Sequence, residues 1–337
     1  MLLLFPAAAS AQMVSITNMY SDPFSADVSM YSAGQVDSAV LVMEVAHGGE
    51  VIESRTVPIT NFSGELTKVI IWEKKPEFER YAANASLYID GVLIDCKSYP
   101  FSHGTAALPR VHLTDLDPDS AGVLMLFRSY TGALADVTVE LINGTDIAYS
   151  QSSYGLDIVS PKTLRLNWPI LLEKRNYTVR IRLSVQNLRD APIVTTYVKS
   201  FTADTDVEIV RSDAEVDEVG ASVTLRGKSQ VPFDGKVVVK LGGSVEREFS
   251  APSDILTIGK EDTVGISWDI PPGTYTAAIL AVDSEGAVKD RFETMFRTSS
   301  PQAVPTATQK VPGADTIAAF FAVAAAAIMA ARKIKGG

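Results

Sequence analysis

The chain has 337 residues, 40 acidic against 30 basic, a formal net charge of −10, three histidines and one cysteine. This length allows two or three domains, and the acidic balance argues against nucleic-acid binding, where a basic face would release counterions. The single cysteine, Cys96, excludes an intrachain disulfide, so each domain has to rest on a hydrophobic core.

Residues 1–11, MLLLFPAAASA, carry an apolar run and a small-x-small pattern ending at Ala11, as in a signal-peptide cleavage site. They lack a basic n-region. Either translation starts upstream of Met1, or this is a short signal; a strand-like N-terminus is the plain alternative.

From there, one pattern recurs three times. Ile70 and Trp72 lead across a charged loop, residues 72–80, to the alternating run Tyr81, Ala83, Ala85, Leu87 and Ile89. Leu164, Leu166 and Trp168 lead to Tyr177, Val179, Ile181, Leu183 and Val185. Val264, Ile266 and Trp268 lead to Tyr275, Ala277, Ile279 and Ala281. Period-two alternation means a strand with one buried and one wet face. The chain's three tryptophans lie 96 and 100 residues apart, each followed by a tyrosine after 9, 9 and 7 residues. Such register predicts a tandem array of one domain type.

Before each tryptophan segment lies a hairpin signal. Gly48-Gly49, Asn143-Gly144 and Gly242-Gly243 follow Leu41–Met43–Val45, Val137–Val139–Leu141 and Val237–Val239–Leu241. For Asn143-Gly144 a type I′ turn is expected. About seven short strands per copy predict an all-β chain of three tandem immunoglobulin-like sandwiches over residues 13–104, 111–203 and 204–298. Trp72, Trp168 and Trp268 should fill the cores, and Tyr81, Tyr177 and Tyr275 should tie the corners. The link at residues 106–110 is short, which predicts an elongated rod with limited bending. Cys96 shares parity with Ile94 and is expected to be a small buried residue.

Asp115, Asp117 and Asp119 resemble the start of a calcium loop, with acids such as Asp90 as conceivable extra ligands. Ser120 and Leu126 occupy places where an EF-hand needs Gly and Glu, so that motif fails and a solvated acidic turn is the simpler reading. The same holds for Asp213, Glu215, Asp217 and Glu218. No cofactor is expected. His47, His103 and His112 have no metal-ligand spacing, and no nucleophile elbow or phosphate loop occurs. Asn61, Asn84, Asn143 and Asn176 head glycosylation tripeptides, with Asn84 on a wet strand face and Asn143 and Asn176 on loops.

Residues 299–313 read as a Ser/Thr/Pro stalk. Residues 314–331 are apolar but for Asp315, near the minimum for a transmembrane helix, and Arg332, Lys333 and Lys335 form a basic cytoplasmic tail. Pro312-Gly313, the Ala-rich segment and the basic cluster resemble the PGF-CTERM sorting tail of archaeal surface proteins. That resemblance implies an archaeosortase and replacement of the helix by a lipid; position 314 is Ala where the family has Phe, and a retained anchor is the alternative. Residues 237–283, with Ile266-Ser267-Trp268 and Gly273-Thr274-Tyr275, resemble the CARDB and fibronectin-III-like modules of prokaryotic surfaces, which implies a fold and no activity.

The expectation is a non-enzymatic cell-surface protein, anchored in the membrane with its domains outside, structural or adhesive, as a companion of the surface layer. Alternatives are a module binding a glycan, peptide or partner subunit, an accessory subunit of a membrane complex, and an extracellular hydrolase.

Overall fold

The computed structural model describes residues 14–75, 77–78, 80–103, 110–186 and 191–299. Residues 1–11 with Ala11, the stalk beyond residue 299, Pro312, Gly313, residues 314–331, Arg332, Lys333 and Lys335 lie outside the described residues, as does most of the 106–110 link. Within them the chain is nearly all β, with one 3-10 turn at Arg211–Asp213. No helix among the described residues is long and apolar enough to cross a membrane.

The first repeat holds β1 (Val14–Ser21), β2 (Ser25–His47), β3 (Glu50–Ile71), β4 (Arg80–Ile89) and β5 (Val92–Ser102). β2 and β3, of 23 and 22 residues, pair along their length. β2 pairs β1 through residues 26–32 and β4 through residues 40–46, so one hairpin serves both halves of a folded sheet. It bends where the β2–β3 register slips between Ser32 and Val36, opposite Asn61 and Gly64, both at positive φ. Short separate strands were expected here; β2 and β3 instead run through the bend without a break.

The second repeat has β6 (Val111–Pro118), β7 (Gly122–Ser129), β8 (Ala133–Asn143), β9 (Asp146–Ile158), β10 (Lys162–Asn167), β11 (Asn176–Val185) and β12 (Ile193–Thr202). They form sheets of order β10-β7-β6 and β12-β11-β8-β9. The third follows with β13 (Val207–Ile209), β14 (Glu215–Val216), β15 (Gly220–Gly227), β16 (Gly235–Gly243), β17 (Arg247–Pro252), β18 (Glu261–Ser267), β19 (Gly273–Asp283) and β20 (Val288–Thr298). Its sheets run β13-β15-β14, with β18 on β15, and β17-β16-β19-β20. The first repeat matches this plan once its long hairpin is divided at the bend.

The alternating runs turn inward. Val179, Ile181 and Leu183 of β11 are fully buried, as are Ala83, Ala85 and Leu87 of β4 and Ala277, Ile279 and Ala281 of β19. Each repeat has its own apolar cluster, and Val231 of the third repeat joins the cluster of the second.

Turn chemistry follows sequence in part. Gly48 and Gly49 both take positive φ, as do Asp90 and Gly91, which suits two-residue hairpins. The Asn143-Gly144 expectation needs correcting. Asn143 pairs with Asp146, only Gly144 of the expected pair takes positive φ, and the loop is Gly144-Thr145, so no type I′ turn forms.

Candidate functional site

Each repeat passes from its first strands into the next through an aspartate that closes a turn with its own side chain. Asp22 Oδ1 accepts the N–H groups of Phe24 and Ser25, Asp119 Oδ1 those of Ala121 and Gly122, and Asp217 Oδ1 those of Val219 and Gly220, at 2.7–3.0 Å. Two residues after each aspartate, the carbonyls of Phe24, Ala121 and Val219 accept the backbone N–H of Trp72, Trp168 and Trp268, all at 3.0 Å. The turn is thereby fixed to the rim of the core. At Gly122 the chain passes so close that a Cβ would meet Leu166 O at 2.1 Å.

The tryptophans are buried, Trp168 completely, and its indole N–H donates to Asp119 O at 2.9 Å. The tyrosines sit beside them. Tyr81 Oη accepts the N–H groups of Glu77 and Phe78, Tyr177 Oη accepts that of Glu173, and Tyr275 donates to Pro271 O. Each hydroxyl thus ties the loop just upstream, four residues back in sequence. The charged 72–80 loop is held by Glu53, whose carboxylate accepts the N–H groups of Glu73 and Lys74 and meets Arg55. Burial raises the Glu53 pKa, but those hydrogen bonds outweigh it and hold the group below its ordinary value.

The same turn joins one repeat to the next. At the first joint, the turn of the first repeat rests on the outer face of the β12-β11-β8-β9 sheet. Arg180 of β11 is fully buried there. Its Nε donates to Glu140 Oε2 at 2.7 Å across the β8–β11 ladder, and its Nη1 donates to Asp27 Oδ1 at 2.5 Å and Ser25 Oγ at 3.2 Å. Arg182 also pairs with Asp27, and its guanidinium lies 5.1 Å from the Tyr20 ring centroid. Burial pushes the Arg182 pKa down and that of Tyr20 up. Thr196 Oγ1 donates to Asp22 Oδ2, Lys68 Nζ pairs with Asp146, both at 2.5 Å, and Val69 N–H donates to Thr145 O at 2.8 Å.

At the second joint, the turn residue Ser120 accepts Gln230 N–H on its carbonyl and Asp204 N–H on its hydroxyl, both at 2.9 Å. Leu172 N–H donates to Gln230 O, and Gln230 Nε2 to Trp168 O. Lys174 reaches Asp204, Asp283 and Glu285, and Lys289 reaches Asp204 at 2.7 Å and Asp283 at 3.3 Å. The Lys174 pKa is raised, chiefly by its hydrogen bond to Glu285 and then by Asp204. Burial raises the Asp204 pKa, but the hydrogen bonds from Lys289 and Lys174 prevail and hold it at about 2.

The acidic run is not gathered into a site. Asp119 closes its turn, Asp117 lies 3.3 Å from Lys199, and Asp115 stands exposed on β6 beyond a register slip. Asp90 sits in the β4–β5 hairpin, Asp213 in the 3-10 turn and Glu215 on β14, while Asp217 repeats the role of Asp119. Among the described residues no group of three His, Cys, Asp or Glu side chains is placed to hold a metal.

Asn61 and Asn176 are exposed, and Asn84 and Asn143 half-buried. Asn143 ends β8 and Asn176 begins β11, so both lie on strand ends, not in loops. Cys96, expected to be buried, is exposed. Its parity partner Ile94 also faces outward, while Asp95 turns in and accepts Ile16 N–H at 2.7 Å.

Sequence reading missed the burial of Arg180, because parity alone assigns it to the wet face. A signal was present: the matching residues of the other copies, Asn84 and Ala278, carry no charge.

No family model matches the chain, and no curated protein matches it. Among solved structures it is similar to a tetra-tandem repeat in the extending region of a large adhesion protein, at 13% identity over 85% of this chain and 72% of that one, with a TM-score of 0.24. It is also similar to dimeric latent PorU from Porphyromonas gingivalis, at 12% identity over 86% of this chain and 34% of that one, with a TM-score of 0.22. A third similarity is to the native conformation of E. coli alpha-2-macroglobulin, at 11% identity over 86% of this chain and 22% of that one, with a TM-score of 0.24. The chain therefore spans well under half the length of the last two. Superpositions this loose carry no argument about role or arrangement.

Proposed function

We propose that this is a non-enzymatic cell-envelope protein that displays three immunoglobulin-type β-sandwiches outside the membrane, in a structural or adhesive role. The observation that carries the reading is the reuse of one aspartate turn, which closes each sandwich and, in the first two, also docks it on its neighbour. A chain built this way sets the spacing and orientation of its repeats, as a spacer or display scaffold requires. The two-sheet plan, with three and four strands in the second repeat and four and four in the third, supports the immunoglobulin-type assignment. Export is supported by the apolar residues 1–11 and by residues 314–331 followed by Arg332, Lys333 and Lys335. The resemblance to archaeal sorting tails adds anchoring by a retained helix or a lipid. In an exported chain the exposed Asn61 and Asn176 are the better-placed glycan acceptors.

Intact mass spectrometry of the protein from its native membrane tests this reading. The expected result is loss of residues 1–11, added glycan mass, and a tail either retained or exchanged for lipid. A cytoplasmic protein with both ends intact overturns it.

A second reading, a module that binds a glycan, peptide or partner subunit, is favoured by one feature. Tyr130 is 78% exposed and stacks on His112 at 5.0 Å, at the end of the second repeat where β7 leads into β8. Exposed aromatic faces of this kind suit sugar or peptide contacts. If ligand screening yields a binder, loss of binding in Tyr130→Ala assigns it to this surface.

A further inference from the structure

We infer that residues 300–306, which leave the third repeat beside its closing turn, pack back onto that turn as a cap, covering Val219 and pressing the turn onto Trp268. The contact does not depend on where the protein resides, so it and the envelope role can fail separately.

The third turn is unfinished where the other two are complete. The first two meet the repeat that follows them, through Asp22 and Ser25 on Thr196 and Arg180, and through Ser120 on Gln230 and Asp204. In the third, Asp217, Glu218 and Val219 are all exposed, and Val219 is 65% exposed where its counterparts Phe24 and Ala121 are 42% and 7%. The indole groups divide the same way. Trp72 Nε1–H donates to Ser21 Oγ at 3.3 Å and Trp168 Nε1–H to Asp119 O at 2.9 Å, both acceptors at the turn. Trp268 Nε1 is buried and has no acceptor among the described residues, and a buried donor left so is costly. A cap that presses the third turn inward brings Asp217 O, the counterpart of Asp119 O, to this N–H.

The occupant follows from where the chain leaves. Strand register gives Thr298 the place of Ala203, each two residues beyond the phenylalanine that faces the corner tyrosine, Phe296 opposite Tyr275 and Phe201 opposite Tyr177. After Ala203, Asp204 lies against the second turn, its N–H on Ser120 Oγ. Thr298 is buried, its hydroxyl accepting Gly273 N–H and donating to Pro271 O, so Ser299 emerges at the same end of the third repeat. Val219 O accepts Trp268 N–H, and Trp268 lies three residues from Pro271, at most about 11 Å of chain. Residues 299–304 reach about 20 Å, enough to set Val304 over Val219.

The chemistry of the segment matches the turn. Residues 300–306, SPQAVPT, carry no charge; Ala303 and Val304 offer apolar cover, and Pro301 and Pro305 restrict the chain, so ordering it loses little freedom. A membrane surface suits this turn less, because Asp217 and Glu218 would face anionic headgroups.

A benzophenone amino acid in place of Val219, in the full-length protein, tests the cap. Irradiation should give mainly a link within one chain to the peptide holding residues 300–306, located by mass spectrometry after digestion, in the purified protein and in the native membrane alike. Val304→Asp should lower the yield about tenfold, the loss that goes with one buried valine side chain, and Thr308→Asp should leave it unchanged. Without the probe, Val304→Asp should speed hydrogen exchange at the Trp268 indole and leave Trp72 and Trp168 unmoved. Both substitutions lie outside the three repeats. A link between two chains, a lipid adduct, a yield or a Trp268 exchange rate indifferent to Val304→Asp, or no product at all overturns the cap.

Discussion

Asp119, Trp168 and Tyr177 show how much a single side chain decides in this chain. Trp168 fills the second core completely and donates its indole N–H to the carbonyl of the aspartate that closes the turn. Trp168→Ala should cost about 3–5 kcal/mol of the second repeat's stability, read as a lowered urea midpoint for that repeat. Tyr177→Phe removes the acceptor of Glu173 N–H and should cost about 1 kcal/mol. Asp119→Ala frees two backbone N–H groups and should cost a similar amount; if it is neutral by urea titration, the turn does not depend on its carboxylate. The tryptophans and tyrosines were legible in the sequence because rare residues at a fixed spacing stand out against chance. The aspartates of the three turns were not. Asp119 lay in an acidic run whose simpler reading was a solvated turn, with calcium as the alternative, and only hydrogen bonds show that its carboxylate closes the turn. Cys96 went astray because parity pairs it with Ile94, and on this edge strand both face out.

At the scale of elements, alternation gave the inner faces of β4, β11 and β19 correctly, since burial of one face is what period two encodes. It could not say what covers the outer face. On β11 that face is covered by the first repeat, and the strand carries Arg180 and Arg182 where the matching strands have Asn84, Ser86, Ala278 and Leu280. The continuous β2–β3 hairpin was also hidden, because its bend at Ser32–Val36 reads in sequence like a strand break. Between the second and third repeats, the elements are clamped by Asp204. Its pKa is depressed, so the clamp is fully present above the ordinary carboxylate range near pH 4 and is lost as pH falls towards about 2. An acid titration of the distance between spin labels at Tyr154→Cys and Met295→Cys, in the Cys96→Ser background, should show this loosening, and Asp204→Asn should reduce the pH dependence, leaving the part carried by Asp283, whose pKa the Ala287 N–H and Lys289 also hold down. A pH-independent distance in the parent protein would show that Val231 and the backbone bonds hold the joint alone.

The whole molecule is an array of sandwiches in which each closing turn becomes the foot of the next contact, at least for the first two repeats. The third turn, with Val219 65% exposed, has no such neighbour among the described residues. An array of this kind sets the spacing of its repeats, and that is the property on which the proposed display or adhesive role draws. The segments proposed to supply the address, residues 1–11 and 314–331, lie outside the described residues, and a measurement on cells links them to the array. Cys96 makes that measurement direct, being the chain's lone thiol and exposed on the first repeat. A membrane-impermeant maleimide applied to intact native cells should label Cys96, and Cys96→Ser should remove the signal. Labelling only after lysis, with the folded protein present, would contradict the outward-facing array.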